Sequence, residues 1–190
     1  IRGRELGQYF TPRKVVKFMT QLANPTIKKE NGEIKIDNIL DACCGSGGFL
    51  IDAMADLMEK VKNNSSLKPY KKDIEERIKL NSIFGIEANP KISRVARMNM
   101  YAHGDGGSRI YCADSLDKNL SITKGTSKII KKELEELKML LVDENLKFDI
   151  VLTNPPFSMS YSSKENDERI VLEQYASIDE TKNISYEKGK

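Results

Sequence analysis

The chain has 190 residues, 39% apolar and 31% charged, with a formal net charge of +3. That is enough for one soluble domain with a real core, and the charge is too mild to declare a nucleic-acid binder by itself. No apolar run approaches the roughly 20 residues that span a bilayer, so no membrane partner is expected.

The first residues, "IRGRELGQYF", carry neither an initiating Met nor the apolar stretch of a signal peptide. A fragment of a cytosolic protein is expected. "FTPRKVVKFMTQLA" predicts a helix over 11–23, with Thr11 as its cap and Pro12 at the first helical position. Val15, Val16, Met19 and Leu22 would form its apolar face. "NPTIKKENGEIKID" reads as a polar connection with turn residues.

"NILDACC" reads as a buried strand ended by glycines. "GGFLIDAMADLMEKV" follows as a helix with Phe49, Leu50, Ala53, Met54, Leu57 and Val61 on one side. After the break "NNSSLKPY", "KKDIEERIKL" is a short charged helix and "SIFGIEA" a second strand. "PKISRVARMNMYAH" is a helix opened by Pro90 and ended by "GDGGS", and "RIYCA" is a third strand. "SKIIKKELEELKMLLVDE" aligns Ile130, Leu134, Leu137 and Leu141. Lys124, Lys128, Lys131 and Lys132 then lie on a solvated face among glutamates. "FDIVLT" is the fourth strand and runs into Asn154-Pro155-Pro156-Phe157.

Strand and helix alternate four times, which predicts a doubly wound α/β layer around a mainly parallel sheet. The domain core is 1–157. From Ser158 the pattern fails, and 158–190 reads as a polar, mobile segment whose one apolar patch is Ile170–Leu172. No fifth strand appears, so the sheet is expected to be truncated after its fourth strand.

Cys43, Cys44 and Cys112 have no C-x-x-C spacing, and the one histidine, His103, is remote from the adjacent pair. A zinc site needs about four ligands. Buried reduced thiols are expected instead, no metal is assigned, and His103 reads as a cap or surface residue at its helix end.

The chemistry lies at the strand ends. In "LDACCGSGGFL" a strand delivers Asp41, and Gly45, Gly47 and Gly48 turn the chain into a helix. Such a turn lets a ligand approach the backbone at a helix N-terminus, although a plain strand-to-helix turn has the same appearance. No Gly-Lys-Ser/Thr follows, and Leu50 stands where the third glycine of G-x-G-x-x-G would be. "FGIEANP" sets Glu87 at the end of the second strand, where α/β folds accept ribose hydroxyls. "YCADSL" sets Asp114 just past the third. Any one of these could be a surface carboxylate. Together with Asn154 they line one sheet edge, where open α/β sheets hold ligands.

"GQYFTPRKVV", "DACCGSGGF", "GIEANP", "ADSL" and "NPPF", in that order, resemble the motifs of S-adenosylmethionine-dependent DNA adenine-N6 methyltransferases. They are most similar to the methylation (modification) subunits of type I restriction-modification systems. The resemblance runs from Gly7 to Ser158 and implies a Rossmann-like methyltransferase fold. It implies that Phe10, Thr11 and Pro12 touch the cofactor from the N-terminal side. Asp41 and the Gly45–Ser46–Gly47 turn would hold its methionine part, Glu87 its ribose, and Ala88 would lie near its adenine ring. Asp114 would accept from its amino group, flanked by Leu116. Asn154, Pro155, Pro156 and Phe157 would receive a flipped adenine of DNA. Gln8 and Tyr9 could contact cofactor or DNA, or be structural. A DNA-specificity subunit and a restriction subunit are the implied partners.

The double proline then has a purpose. An adenine amino group offers two donors, and the Asn154 side-chain oxygen with a rigidly held Pro155 carbonyl supplies two acceptors. Phe157 offers a stacking face. Release-factor glutamine methyltransferases present the same clamp to a planar amide but usually carry tyrosine after the prolines. N4-cytosine enzymes more often show Ser-Pro-Pro. A non-catalytic cofactor-binding scaffold in a restriction assembly is the third alternative.

Overall fold

The computed structural model describes residues 10–104, 109–123, 125–157, 161–162 and 164–175. Gln8, Tyr9, Lys124, Ser158 and the chain from 176 onward lie outside the described residues. Among the described residues no helix is long and apolar enough to cross a membrane.

Helix α1 (Arg13–Ala23) begins one residue later than the motif suggests, with Pro12 as its N-cap. Thr11 makes no capping bond. The buried side of α1 carries Val16 and Thr20, with Met19 and Ala23 packed beside them. Leu22 and Val15, expected on that face, are 74% and 43% exposed; the side of α1 that meets α2 is centred on Val16 and Thr20 instead.

The segment read as a polar connection is a hairpin of β1 (Ile27–Glu30) and β2 (Glu33–Ile36). Asn31 and Gly32 form its two-residue loop with φ 52° and 87°, the left-handed pair that matches strand twist. Asp37 closes the open end, accepting from the Thr26 N–H and hydroxyl at 2.7 and 3.0 Å.

The main sheet contains β3 (Ile39–Asp41), β4 (Ile83–Ile86), β5 (Arg109–Tyr111) and β6 (Ile150–Val151), all parallel, in the order β5-β4-β3-β6. Side chains alternate across it as the pleat demands. Ile39, Ile83 and Ile110 face the larger core with α2 (Gly48–Asn63), α3 (Lys71–Arg77) and α4 (Pro90–Ala102). Phe84, Ile86 and Tyr111 face Leu134, Leu137 and Leu140, in and just after α5 (Lys128–Lys138). Helices thus cover both faces, and the doubly wound expectation is met. At Gly85 a Cβ would lie 2.7 Å from both Ile110 Cδ1 and Leu50 Cδ1, so a side chain there would force these two to shift.

Strand order reverses at β3, with β4 and β5 on one side and β6 on the other. The carboxyl ends of β3 and β6 therefore flank the switch point where such sheets hold ligands. Residues 161–175, read from sequence as a mobile polar extension, include α6 (Asn166–Glu173), which buries Val171. Gln174 follows and pairs with the loop after β5: its amide donates to Asp117 at 2.8 Å and accepts the Lys118 N–H at 2.7 Å. Side-chain hydrogen bonds and the buried Val171 hold this piece.

Candidate active site

Asp41 ends β3 and is almost wholly buried. Its Oδ1 accepts the Cys43 N–H at 3.1 Å. Burial pushes its carboxyl up to about 6; the Cys43 N–H and the nearby Thr153 hydroxyl oppose this, and the Glu87 charge adds to it. The Thr153 Oγ1 is itself buried without a complete hydrogen bond.

The turn that follows needs its glycines. Gly45 and Gly47 have φ of 53° and 87°, a region that side-chain-bearing residues enter at a cost of about 1–2 kcal/mol. The Gly45 N–H donates to Glu87 Oε2 at 3.1 Å, and the Ser46 carbonyl accepts from Asn99 Nδ2 of α4 at 3.0 Å. Gly47 caps α2. The turn is thus tied to the end of β4 and to the flank of α4.

Glu87 sits one residue past β4, and its Oε1 also accepts the Asn89 N–H at 2.8 Å. A carboxylate has about four acceptor sites, so each oxygen keeps capacity for a ligand. Exposed Ala88 comes next, and Asn89 caps α4 ahead of Pro90. Beyond β5, Asp114 Oδ1 accepts the Leu116 N–H at 2.9 Å and Oδ2 accepts the Tyr161 hydroxyl at 2.7 Å. The carbonyl of the exposed Leu116 accepts the Tyr175 hydroxyl at 2.8 Å. Burial and the Asp114 charge push the Tyr161 phenol up, so it stays a donor.

On the β6 side, Asn154 and Phe157 share a cavity of about 420 Å³ with Phe10, Thr11, Pro12, Val15, Met19 and Thr153. Asn154 Nδ2 donates to Thr11 Oγ1 at 3.1 Å. Pro155, Pro156 and Phe157 are exposed at its mouth.

The structure therefore brings the sequence-predicted residues together in two groups. Gly45 is hydrogen bonded to Glu87, with Asp41 and Ser46 on the same strand-to-helix turn; Phe10, Thr11, Pro12, Asn154 and Phe157 line one cavity. Thr153 joins them, lining the cavity beside Asp41. It stands next to Asn154 in the sequence, and its place across the β3–β6 pair was the signal that could have found it. Tyr161 had no such signal. His103 Nδ1 lies 2.7 Å from the Asn99 carbonyl at the end of α4, a capping contact. Among the described residues no three His, Cys, Asp or Glu side chains form a metal-holding group.

A glycine turn with acidic residues at or just past the ends of three parallel strands, beside a switch point, is the place where doubly wound α/β sheets hold ligands. The chain belongs to the N-6 DNA methylase family, whose model matches residues 1–186. It is 29% identical over 188 residues to the type II restriction enzyme and methyltransferase RM.BcgI of Heyndrickxia coagulans, covering 99% of this chain and 23% of that protein. It is 30% identical over 153 residues to the type I restriction enzyme EcoEI methylase subunit of Escherichia coli, covering 80% and 24%. The crystal structure of the type I restriction enzyme EcoKI M protein matches with a TM-score of 0.53 at 26% identity, over 79% of this chain and 25% of that one. The chain spans about a quarter of the length of these relatives. The family and fold expected from the motifs are borne out.

Proposed function

We propose that this chain is the catalytic core of an S-adenosylmethionine-dependent adenine-N6 DNA methyltransferase, of the kind that serves as a type I modification subunit. The observation that carries the reading is the cavity shared by Asn154, Phe157 and Phe10–Pro12, with Thr153 linking it to the Asp41–Gly45–Glu87 group.

The residues fit that cofactor. Glu87 keeps acceptor capacity for ribose hydroxyls, and nothing lies within 4 Å of where a Gly45 Cβ would stand. The buried Thr153 hydroxyl has no complete hydrogen bond of its own to give up. Asp41 and the Gly45–Gly47 turn would hold the methionine part, and Glu87 the ribose, with Ala88 by the adenine ring. Asp114 would take the amino group beside Leu116, and Phe10, Thr11 and Pro12 would close the N-terminal side. When bound, the cofactor supplies an electrophilic methyl group on a sulfonium centre.

The chain's own residues do the rest. A paired base is out of reach and must be extruded from the duplex. Asn154 Oδ1 and the Pro155 carbonyl accept the two amino hydrogens, which draws the nitrogen lone pair out of the ring and aims it. Phe157 stacks on the base, worth about 1–3 kcal/mol. Positioning and electrostatics carry the step, without a covalent nucleophile. Cys43 and Cys44 lie on the cofactor side, and burial raises both thiols, the reverse of activation.

In the assembled system a DNA-specificity subunit would select the site and a restriction subunit would complete the complex, in the cytoplasm. The test is transfer of labelled methyl groups to DNA by the full-length polypeptide with its specificity subunit, followed by nucleoside separation. Label in N6-methyladenine is the expected result. Label at N4 of cytosine, or on a protein glutamine, overturns it.

A further inference from the structure

A side-chain amide has two ends of opposite polarity, and rotation by about 180° exchanges them. The proposed reaction needs the oxygen of Asn154 facing the base. With the NH2 end there instead, donor would meet donor at the adenine amino group. The contact that sets this orientation is therefore part of the catalytic machinery.

Among the described residues one contact holds the Asn154 amide in place. Asn154 Nδ2 donates to Thr11 Oγ1 at 3.1 Å, across 143 residues of sequence. A hydroxyl can accept or donate, but with Nδ2 spent on Thr11 the end left for the cavity is Oδ1. Each partner is also stiffened by the proline next to it in the chain. Thr11 precedes Pro12 and Asn154 precedes Pro155, and a residue before proline is restricted to extended backbone. Thr11 is β-branched as well, which limits its χ1. Two half-buried residues with restricted backbones thus face each other across the same cavity.

Resting on the adenine-methylation reading, we infer that Thr11 is a positioning residue for Asn154: its hydroxyl holds the Asn154 amide in the cavity, accepting from Nδ2 while the oxygen faces the target amino group. This goes beyond the cofactor contact that the motif resemblance implies for Thr11. It also gives the N-terminal arm a role in the chemical step.

The experiment uses the full-length polypeptide with its specificity subunit, as wild type, Thr11→Val and Thr11→Ser. Valine keeps the shape and removes the hydroxyl; serine restores it. Methyl transfer to DNA by the wild type is measured first. The inference predicts that Thr11→Val lowers kcat by about 10- to 100-fold, the scale of a misplaced catalytic group. The Kd for S-adenosylmethionine, from calorimetry, should weaken by a smaller factor than kcat falls, because valine keeps the shape of the Thr11 contact. Thr11→Ser should recover most of the kcat. As a readout separate from turnover, one Asn154 side-chain amide proton should be protected from exchange in the wild type and lose that protection in Thr11→Val. An unchanged kcat in Thr11→Val, or a loss confined to cofactor Kd, overturns the inference. A wild type that binds cofactor yet methylates no adenine overturns the site reading and this inference with it. An active wild type with an indifferent Thr11→Val removes the inference alone.

Discussion

The two halves of the crevice are built differently. On the β3–β4 side, Asp41, the glycine turn and Glu87 are locked by the chain's own backbone, each carboxylate already holding N–H donors. On the β6 side, Asn154 has one side-chain partner among the described residues, Thr11, and Phe157 is 74% exposed. A cofactor that stays in place while the base arrives suits a site formed in advance. A base that must swing in suits an open mouth. On the proposed reading, binding of the cofactor and reception of the base are separable in this chain.

Substitutions on either side can break that separation or sharpen it. Asn154→Ala should lower methyl transfer by about 10²–10³-fold, the scale seen when one catalytic hydrogen-bonding group is removed. Asp41→Asn should have the next effect, on stability. Ionising a buried carboxyl whose pKa has moved from 3.8 to about 6 costs up to about 3 kcal/mol at neutral pH. The folded state then binds the proton more tightly than the unfolded chain, so this cost grows as pH rises from about 4 to about 6. Asp41→Asn should therefore raise the denaturation midpoint at pH 7 and leave it little changed at pH 4. It should also weaken cofactor binding at pH 7.

Glu87→Ala removes the acceptor for the Gly45 and Asn89 N–H groups as well as for a ribose. A hydrogen bond to a charged group contributes about 1.5–3 kcal/mol, so calorimetry should show cofactor affinity roughly 10- to 100-fold weaker. Gly85→Ala should have the smallest effect. Its Cβ would sit 2.7 Å from the Ile110 and Leu50 Cδ1 atoms and 3.1 Å from Cys44 Sγ, and overpacking of this kind costs about 1–3 kcal/mol. Chemical denaturation measures it. Because Cys44 lies in the turn, cofactor affinity should fall with stability while the Asn154 side stays intact.

The parts of this fold that were legible in the sequence are those with local periodicity. The apolar stripe from Phe49 to Val61 foretold α2, and Ile83–Ile86 foretold a strand buried on both faces. The carboxylates Asp41, Glu87 and Asp114 were legible because each lies at or just past the end of such a run. The hairpin was missed because its strands expose most of their residues, although Asn31-Gly32 between alternating isoleucines is a turn signal. The docking of residues 161–175 was not legible at all. It rests on Tyr161, Gln174 and Tyr175 reaching polar partners 47, 56 and 59 residues away, and such pairs leave no repeating pattern. The Thr11–Asn154 bond is invisible for the same reason. Thr11 read as a cap because a threonine before Pro-Arg-Lys has that local signature, and only the return of β6 gives its hydroxyl another partner.

The separation of the two halves is tested most directly by Asn154→Ala in the full-length polypeptide with its specificity subunit. Transfer to adenine and calorimetric binding of S-adenosylmethionine would be measured on the same preparation. The account predicts transfer lost and cofactor affinity unchanged within about threefold, the pattern of a group that acts on the base alone. Transfer that persists, or affinity that falls along with it, would contradict the account.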